Sequence, residues 1–245
     1  MTSPKDQAVA MQRRYYTETA AKYDTMHAGE GDSGPEIVAA VCSLLRMIQP
    51  RTLLDVGAGT GRGVSHFRQQ FPGISAFGVE PVEALIEQSI AKGLPRGALL
   101  RGSGDALPFP DASFDVVCSF AILHHVHEPN RVVKEMLRVA RKAVVIVDSN
   151  RFAQGSWPMR FVKLALYKTG LWGLVNYLKT GGKGYLITEG DGLAYSYSVY
   201  DSFDCLAEGS SRLLLLSANP QSPKSWFYPL LTSEGILVAA LKGDD

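Results

Sequence analysis

Apolar positions along this chain fall into two patterns that alternate. Short unbroken runs occur in TLLDVG at 52–57, SAFGVE at 75–80, SFDVVCSF at 113–120 and KAVVIVD at 142–148, with a further short run in ALLRGSGDALPF. Unbroken rather than alternating runs of this length mark strands buried on both faces. Between them lie stretches with helical spacing. Residues 35–48 begin with Pro35, have Ser33 as a candidate cap, and set Ile37, Val41, Leu44, Leu45 and Ile48 on one stripe. Residues 62–71 read as helix up to FPG, and VEALIEQSIAKG reads as helix closed by Gly93. PNRVVKEMLRVA turns Val132, Val133, Met136, Leu137 and Ala140 inward, residues 7–24 form a helix of mixed faces, and GEGDSG at 29–34 is a loop.

Strand and helix alternating in this way predict an α/β fold, a Rossmann-like doubly wound sheet covered by helices on both faces. The rhythm breaks after residue 150. A helical and aromatic stretch runs to about 179, TGGKGY turns, LAYSYSVYD follows, and RLLLLSAN at 212–219 and GILVAALK at 235–242 are two further strands. The expected organisation is one domain over 1–245. Helices occupy 1–50, a core 51–150, an insertion between strands five and six 151–210, and the last two strands 211–245.

Composition narrows the partners. With 25 basic and 24 acidic residues the formal net charge is +1, which gives no electrostatic case for nucleic acid. The N-terminal stretch MTSPKDQAVA has no apolar core, and the most hydrophobic region, 157–178, is interrupted by Arg160, Lys163 and Lys168, so stable membrane insertion is not expected. Cys42, Cys118 and Cys205 are far apart and odd in number, which suits a reducing cytoplasm and small core residues better than disulfides.

Candidate chemistry centres on LLDVGAGTGRG, residues 53–63, where Gly57, Gly59, Gly61 and Gly63 follow Asp55. A glycine-rich strand-to-helix turn at the sheet's C-terminal edge lets a ligand lie on bare main chain. The spacing is not the dinucleotide fingerprint, because Arg62 or Val64 stands where its last glycine belongs. GGKG at 181–184 fails as a phosphate loop, since Tyr177 and Gly184 occupy the required glycine and hydroxyl positions. Glu80 ends the second strand, where a carboxylate can take both hydroxyls of a ribose. Asp105 follows the third strand and can accept from an exocyclic amine, or simply bond its own turn.

Taken in order, LLDVGAGTGRG, GVEP, GDALPFPDASFDVVCSFAILHHV and LRVARKAVVIVD resemble the successive motifs of class I S-adenosylmethionine-dependent methyltransferases, closest in look to the ubiquinone/menaquinone-biosynthesis (type 11) branch; AAKYD at 20–24 resembles that branch's N-terminal motif. The resemblance covers about residues 50–150. It implies a seven-stranded, mostly parallel sheet with an antiparallel last strand and S-adenosyl-L-methionine as cofactor. It further implies Gly57, Ala58, Gly59 and Gly61 around the cofactor's methionine part, Asp55 near its ammonium, Glu80 with Pro81 at the ribose, and Asp105 with Ala106 at the adenine. Phe120 would pack nearby and Tyr23 would close over the cofactor.

Methyl transfer from a sulfonium needs alignment, exclusion of water and sometimes a base. His124, His125 and His127 follow the fourth strand, and His124 or His125 is the candidate base. The same histidines can instead pack or bond backbone. No metal is expected: the acid completing a histidine site is not evident, Glu128 being placed to point elsewhere, and the Asp148, Asn150 pair of catechol-type enzymes lacks its partner at Ser119. No Asn/Asp-Pro-Pro-aromatic or Pro-Cys motif follows the fourth strand, which favours a small-molecule acceptor over nucleic acid. The insertion is expected to act as a substrate lid. In it Trp157, Trp172, Tyr177, Tyr195 and Tyr197 form either an aromatic wall around a sugar- or lipid-linked acceptor or a second small core, and the Arg/Lys-bearing helix has a conceivable membrane-surface role. The expected activity is methylation, most simply on oxygen. A non-catalytic cofactor-binding module and an NAD(P)-dependent reductase are the alternatives, and acceptor and oligomeric state stay open.

Overall fold

Val, Ile and Leu runs bounded by Gly, Pro and Asp become strands because their branched side chains fill both surfaces of a pleated layer. The computed structural model describes residues 4–27, 34–188, 190–219 and 221–243. Ser33, the candidate cap, and nearly all of the 29–34 loop lie outside these residues. The strands are β1 (Thr52–Val56), β2 (Ser75–Glu80), β3 (Leu99–Arg101), β4 (Phe114–Phe120), β5 (Ala140–Ser149), β6 (Tyr185–Thr188), β7 (Gly192–Tyr195), β8 (Arg212–Ser217) and β9 (Gly235–Leu241). The helices are α1 (Pro4–Thr19), α2 (Tyr23–Met26), α3 (Pro35–Ile48), α4 (Arg62–Gln70), α5 (Glu83–Ala91), α6 (Pro129–Val139), α7 (Trp157–Lys168), α8 (Trp172–Lys179) and α9 (Phe203–Glu208).

Seven strands form one sheet in the order β3-β2-β1-β4-β5-β9-β8. β1 to β5 pair in parallel, and β9 runs antiparallel between β5 and β8. The reversal in order on either side of β1 and β4 opens a crevice at the strands' C-terminal ends. Alternate residues feed two cores. Leu53, Val145 and Leu237 pack with Val41 and Leu45 of α3 on one face. Leu54, Ile146 and Ile236 pack with Met136 and Val133 of α6 on the other. The three cysteines are free.

Three sequence expectations shift in detail. The first helix does not run through to 24: it ends at Thr19, a 3₁₀ turn spans Ala20–Lys22, and α2 restarts at Tyr23. Ala140 opens β5 rather than closing α6. LAYSYSVY is not one strand: β7 stops at Tyr195, while Tyr197 is buried in the second core with its hydroxyl 3.0 Å from Ser202 Oγ. Ser198 caps the following turn by accepting from the Tyr200 N–H, and Asp201 completes the box. The insertion also contains a β6–β7 hairpin that the apolar pattern does not announce.

At the end of the sheet away from the crevice, buried Asp115 accepts from the Arg51 N–H at 2.6 Å and from Arg141 Nη2 at 2.6 Å. These bonds hold its carboxyl below the usual range although burial works against its charge. Asp115→Ala strands a backbone donor and is expected to cost about 2 kcal/mol in urea unfolding. The native contribution is present above the ordinary carboxylate pKa and is lost as pH falls through the depressed one.

Candidate active site

β1 delivers Asp55 and β2 delivers Glu80 to the crevice, and both are buried, at 3% and 5% exposure. Burial pushes Asp55 up to about 7, with Glu80 adding repulsion. Burial pushes Glu80 to about 7 as well, opposed by backbone donors. Those donors are the Gly59 N–H, 2.9 Å from Oε2, and the Val82 N–H, 3.0 Å from Oε1. Each Glu80 oxygen retains acceptor capacity for a hydroxyl.

The glycines have protein-side reasons to lack side chains. At Gly57, with φ +77°, a Cβ would sit 2.6 Å from Ile122 Cγ2. At Gly59, with φ +56°, it would sit 2.8 Å from the Tyr23 hydroxyl. Tyr23 thus leans on the loop, stacked on His27 with ring centroids 4.2 Å apart.

A cavity of about 900 Å³ opens here. Among the predicted cofactor residues, Tyr23, Asp55, Gly57, Ala58, Glu80 and Pro81 line it, and so do Asp105 and Phe120. Three others do not. Gly59 supplies its N–H to Glu80, the Gly61 N–H bonds Ala58 O, and exposed Ala106 closes a turn by donating to Ser103 O at 3.2 Å. They shape the walls from behind.

The opposite wall carries the histidines. His124 Nδ1 lies 2.8 Å from Asp148 Oδ1 and its Nε2 lies 3.3 Å from Asp191 Oδ2. With an acceptor at each nitrogen it is an imidazolium. Burial opposes that charge, but Asp148 and Asp191 together push it up to about 10. Both nitrogens of His124 are thus engaged by carboxylates, whereas the expectation named either histidine as base. His125 differs. Its Nδ1 donates to Leu193 O at 2.7 Å, which leaves Nε2 to face the Tyr16 hydroxyl at 3.1 Å and Asp191 Oδ1 at 3.2 Å. His127 is exposed and packs edge-on against Tyr195.

Sequence spacing points to neither Asp191 nor Tyr16. Asp191 sits in the β6–β7 turn, far along the chain from the histidines it touches, so no local pattern signals it. Its carboxyl is held well below the usual range by both histidines, against its burial. His124, His125 and Asp191 also form a group, among the described residues, whose donor atoms lie within 4.8 Å of one another, as a metal ion would require. Here the acid is satisfied by the two rings. Glu128 pairs with Lys5, away from this group. Asp148 and Asn150 are committed elsewhere: Asp148 to His124 and to the Leu123 and Ser149 N–H groups, Asn150 to Ser198, Leu230 and Ser233.

The expected aromatic lid does not form around the cavity. Of the insertion's described residues, the cavity takes Gly190 and Asp191; Trp157 and Tyr177 stand exposed at 42% and 55%.

The sequence profile described as "Methyltransferase domain" matches residues 54–147. An uncharacterized methyltransferase of Mycolicibacterium paratuberculosis is 30% identical over 215 residues, spanning 87% of this chain and 76% of that protein. One from Mycolicibacterium vanbaalenii is 42% identical over 99 residues, spanning 40% of this chain and 38% of that protein. Across the first curated relatives, the match spans about half of their length or less. In fold, the chain is similar to a Thermotoga maritima SAM-dependent methyltransferase, a possible histamine N-methyltransferase. That likeness has 17% identity and a TM-score of 0.57, and covers 96% of this chain and 99% of that one.

The charge on His124 is readable in solution. In ¹⁵N-labelled protein at pH 8, His124 is expected to read as protonated on both nitrogens. Asp148→Asn should bring the His124 titration down, because Asp191 alone then opposes burial.

Proposed function

The chain belongs to the S-adenosylmethionine-dependent methyltransferases, and from that premise we propose that it methylates an oxygen of a small-molecule acceptor, with His125 receiving the acceptor's proton. The observation that supports this most is the sharing of one cavity by Asp55, Glu80 and Asp105 on one wall and His125 on the other. Its volume lies within the range of about 300–1,000 Å³ usual for such ligands.

The cofactor fits the residues present. Two buried carboxyls held near neutrality ask for a positive charge and hydroxyl donors, which an amino-acid-bearing nucleoside offers. In this reading Asp55 faces the ammonium, Glu80 takes the ribose hydroxyls, Asp105 takes the adenine amine and Phe120 covers an apolar side. When bound, the cofactor supplies an electrophilic methyl on a sulfonium that leaves as a neutral thioether. The chain's own work is then alignment and proton removal. In this reading Leu193 O takes the Nδ1–H of His125, and Nε2, which also faces Asp191 Oδ1, is the atom that receives the acceptor's proton. The Tyr16 hydroxyl, buried and held above the ordinary phenol range, donates there in the acceptor's place. An acceptor hydroxyl would displace it and lose its proton to Nε2, which leaves the acceptor oxygen free to take the methyl group the cofactor would supply.

A single working domain over 1–245, a reducing cytoplasmic location suited to the free thiols and the absence of a nucleic-acid substrate belong to the same proposal. The methyltransferase family match stands against the reductase reading.

Calorimetry is expected to show one saturable S-adenosylmethionine site, and an acceptor screen a product heavier by one methyl. Binding without turnover across that screen would favour the non-catalytic module. His125→Ala should lower kcat by about 10²–10⁴-fold with cofactor affinity retained; an equal loss of affinity would remove the base role. The ligand's ammonium favours ionised Asp55, so cofactor affinity should weaken by up to about tenfold per unit as pH falls below 7, and Asp55→Asn should flatten that profile.

A further inference from the structure

Helices α7 and α8 bury no residue fully, and their polarity is turned inside out. A surface helix normally points its apolar stripe inward and its cations outward. In α7 the exposed large apolar side chains are Trp157, Met159, Phe161 and Val162. Its inner cations are tied to the body. Arg160 donates to Gly155 O and Leu231 O, each at 2.8 Å, and Lys163 Nζ donates to Arg151 O at 3.1 Å and Gln154 O at 3.0 Å. In α8 Leu174, Tyr177 and Leu178 are exposed at 59%, 55% and 69%, while Trp172 is half-buried over the Arg151 guanidinium, 5.4 Å away.

The apolar surface does not stop at the helices. Phe161 meets Phe227 at 5.2 Å between ring centroids, and the adjoining Trp226 is 94% exposed. Packing among the described residues gives no reason for a tryptophan so bare beside an outward phenylalanine stripe.

Charge within the segments that form this face is one-sided, although Asp201, Asp204 and Glu234 approach the inner side of α7 at Tyr167 and Lys163. From Arg151 to Thr188 the chain holds no Asp or Glu, whereas Lys168, Lys179 and Lys183 are exposed. From Gly209 to Ser233 there is again no acid, and exposed Lys224 precedes Trp226 by two positions. The whole chain balances 25 bases against 24 acids, so the positive charge is concentrated here at the expense of the rest.

We propose that the outward face of α7 and α8, with the Trp226 loop beside it, docks on the surface of an anionic lipid bilayer. Exposed apolar side chains sink to the headgroup boundary, Trp and Tyr suit that boundary, and flanking lysines meet anionic headgroups. Helices of 12 and 8 residues are too short to span a bilayer, and no helix among the described residues is long and apolar enough to cross one. A second copy of the chain is a poorer occupant, because pairing two such faces brings their lysines together. The proposal is independent of the acceptor's identity.

The test is co-sedimentation of the full chain with vesicles of phosphatidylcholine alone and of phosphatidylcholine mixed with phosphatidylglycerol. Binding is expected to the anionic vesicles only, with a blue shift in tryptophan emission and weakening as salt is raised. Phe161→Ser with Trp226→Ser, and separately Lys168→Glu with Lys179→Glu, should each reduce partitioning at least tenfold while far-UV circular dichroism and thermal midpoint stay unchanged. No binding to either vesicle, or equal salt-independent binding to both, overturns the proposal. So does a lipid-free dimer that the same variants dissolve, or capture of an acidic protein with no vesicle binding.

Discussion

Two carboxyls brought side by side into a nearly dry pocket, with little positive charge to balance them, are the constraint on which the site is built. Asp55 and Glu80 stand at the ends of neighbouring parallel strands, so the sheet itself dictates their proximity. The glycine turn makes it tolerable. Gly59 gives Glu80 a backbone donor, and Gly63 leaves room for Asp55, whose Oδ2 would lie 2.6 Å from any Cβ there. Among the described residues Arg13 acts on Glu80 through its charge, but burial outweighs it. An isolated buried anion is costly, so both groups wait near neutrality for a ligand that completes the charge balance.

The far wall solves the reverse problem. His124 carries charge in a buried place because Asp148 and Asp191 flank it. That pairing also ties the β6–β7 turn to the end of β4, which is how a hairpin late in the chain becomes part of the cavity. His125, one residue on, is held differently: a carbonyl, not a carboxylate, meets its Nδ1, and Asp191 reaches its Nε2.

The core strands were legible because burial on both faces leaves unbroken apolar runs, and β1, β2, β4 and β5 lie close to where those runs predict. The glycine turn and its acids were legible because their chemistry is local in sequence. The rest is tertiary. Asp191 matters only through the rings of His124 and His125, which stand far earlier in the chain and meet it through folding alone. Tyr195 and Tyr197 read as one strand face, yet capping by Ser198 outcompetes extension, and Tyr197 turns into the core. The insertion's aromatic residues left a wall and a second small core equally open, because composition does not say which way a helix faces.

Gln12 of α1 has a consequence for motion. Its side-chain oxygen accepts from the Leu193 N–H at 2.6 Å and its nitrogen donates to Asp191 O at 3.2 Å, an approach that the bare Gly192 permits. The N-terminal helix and the hairpin are therefore riveted together across the cavity rim. Displacing either one strains both of these bonds, so motion at this edge of the cavity draws on the helix and the hairpin together.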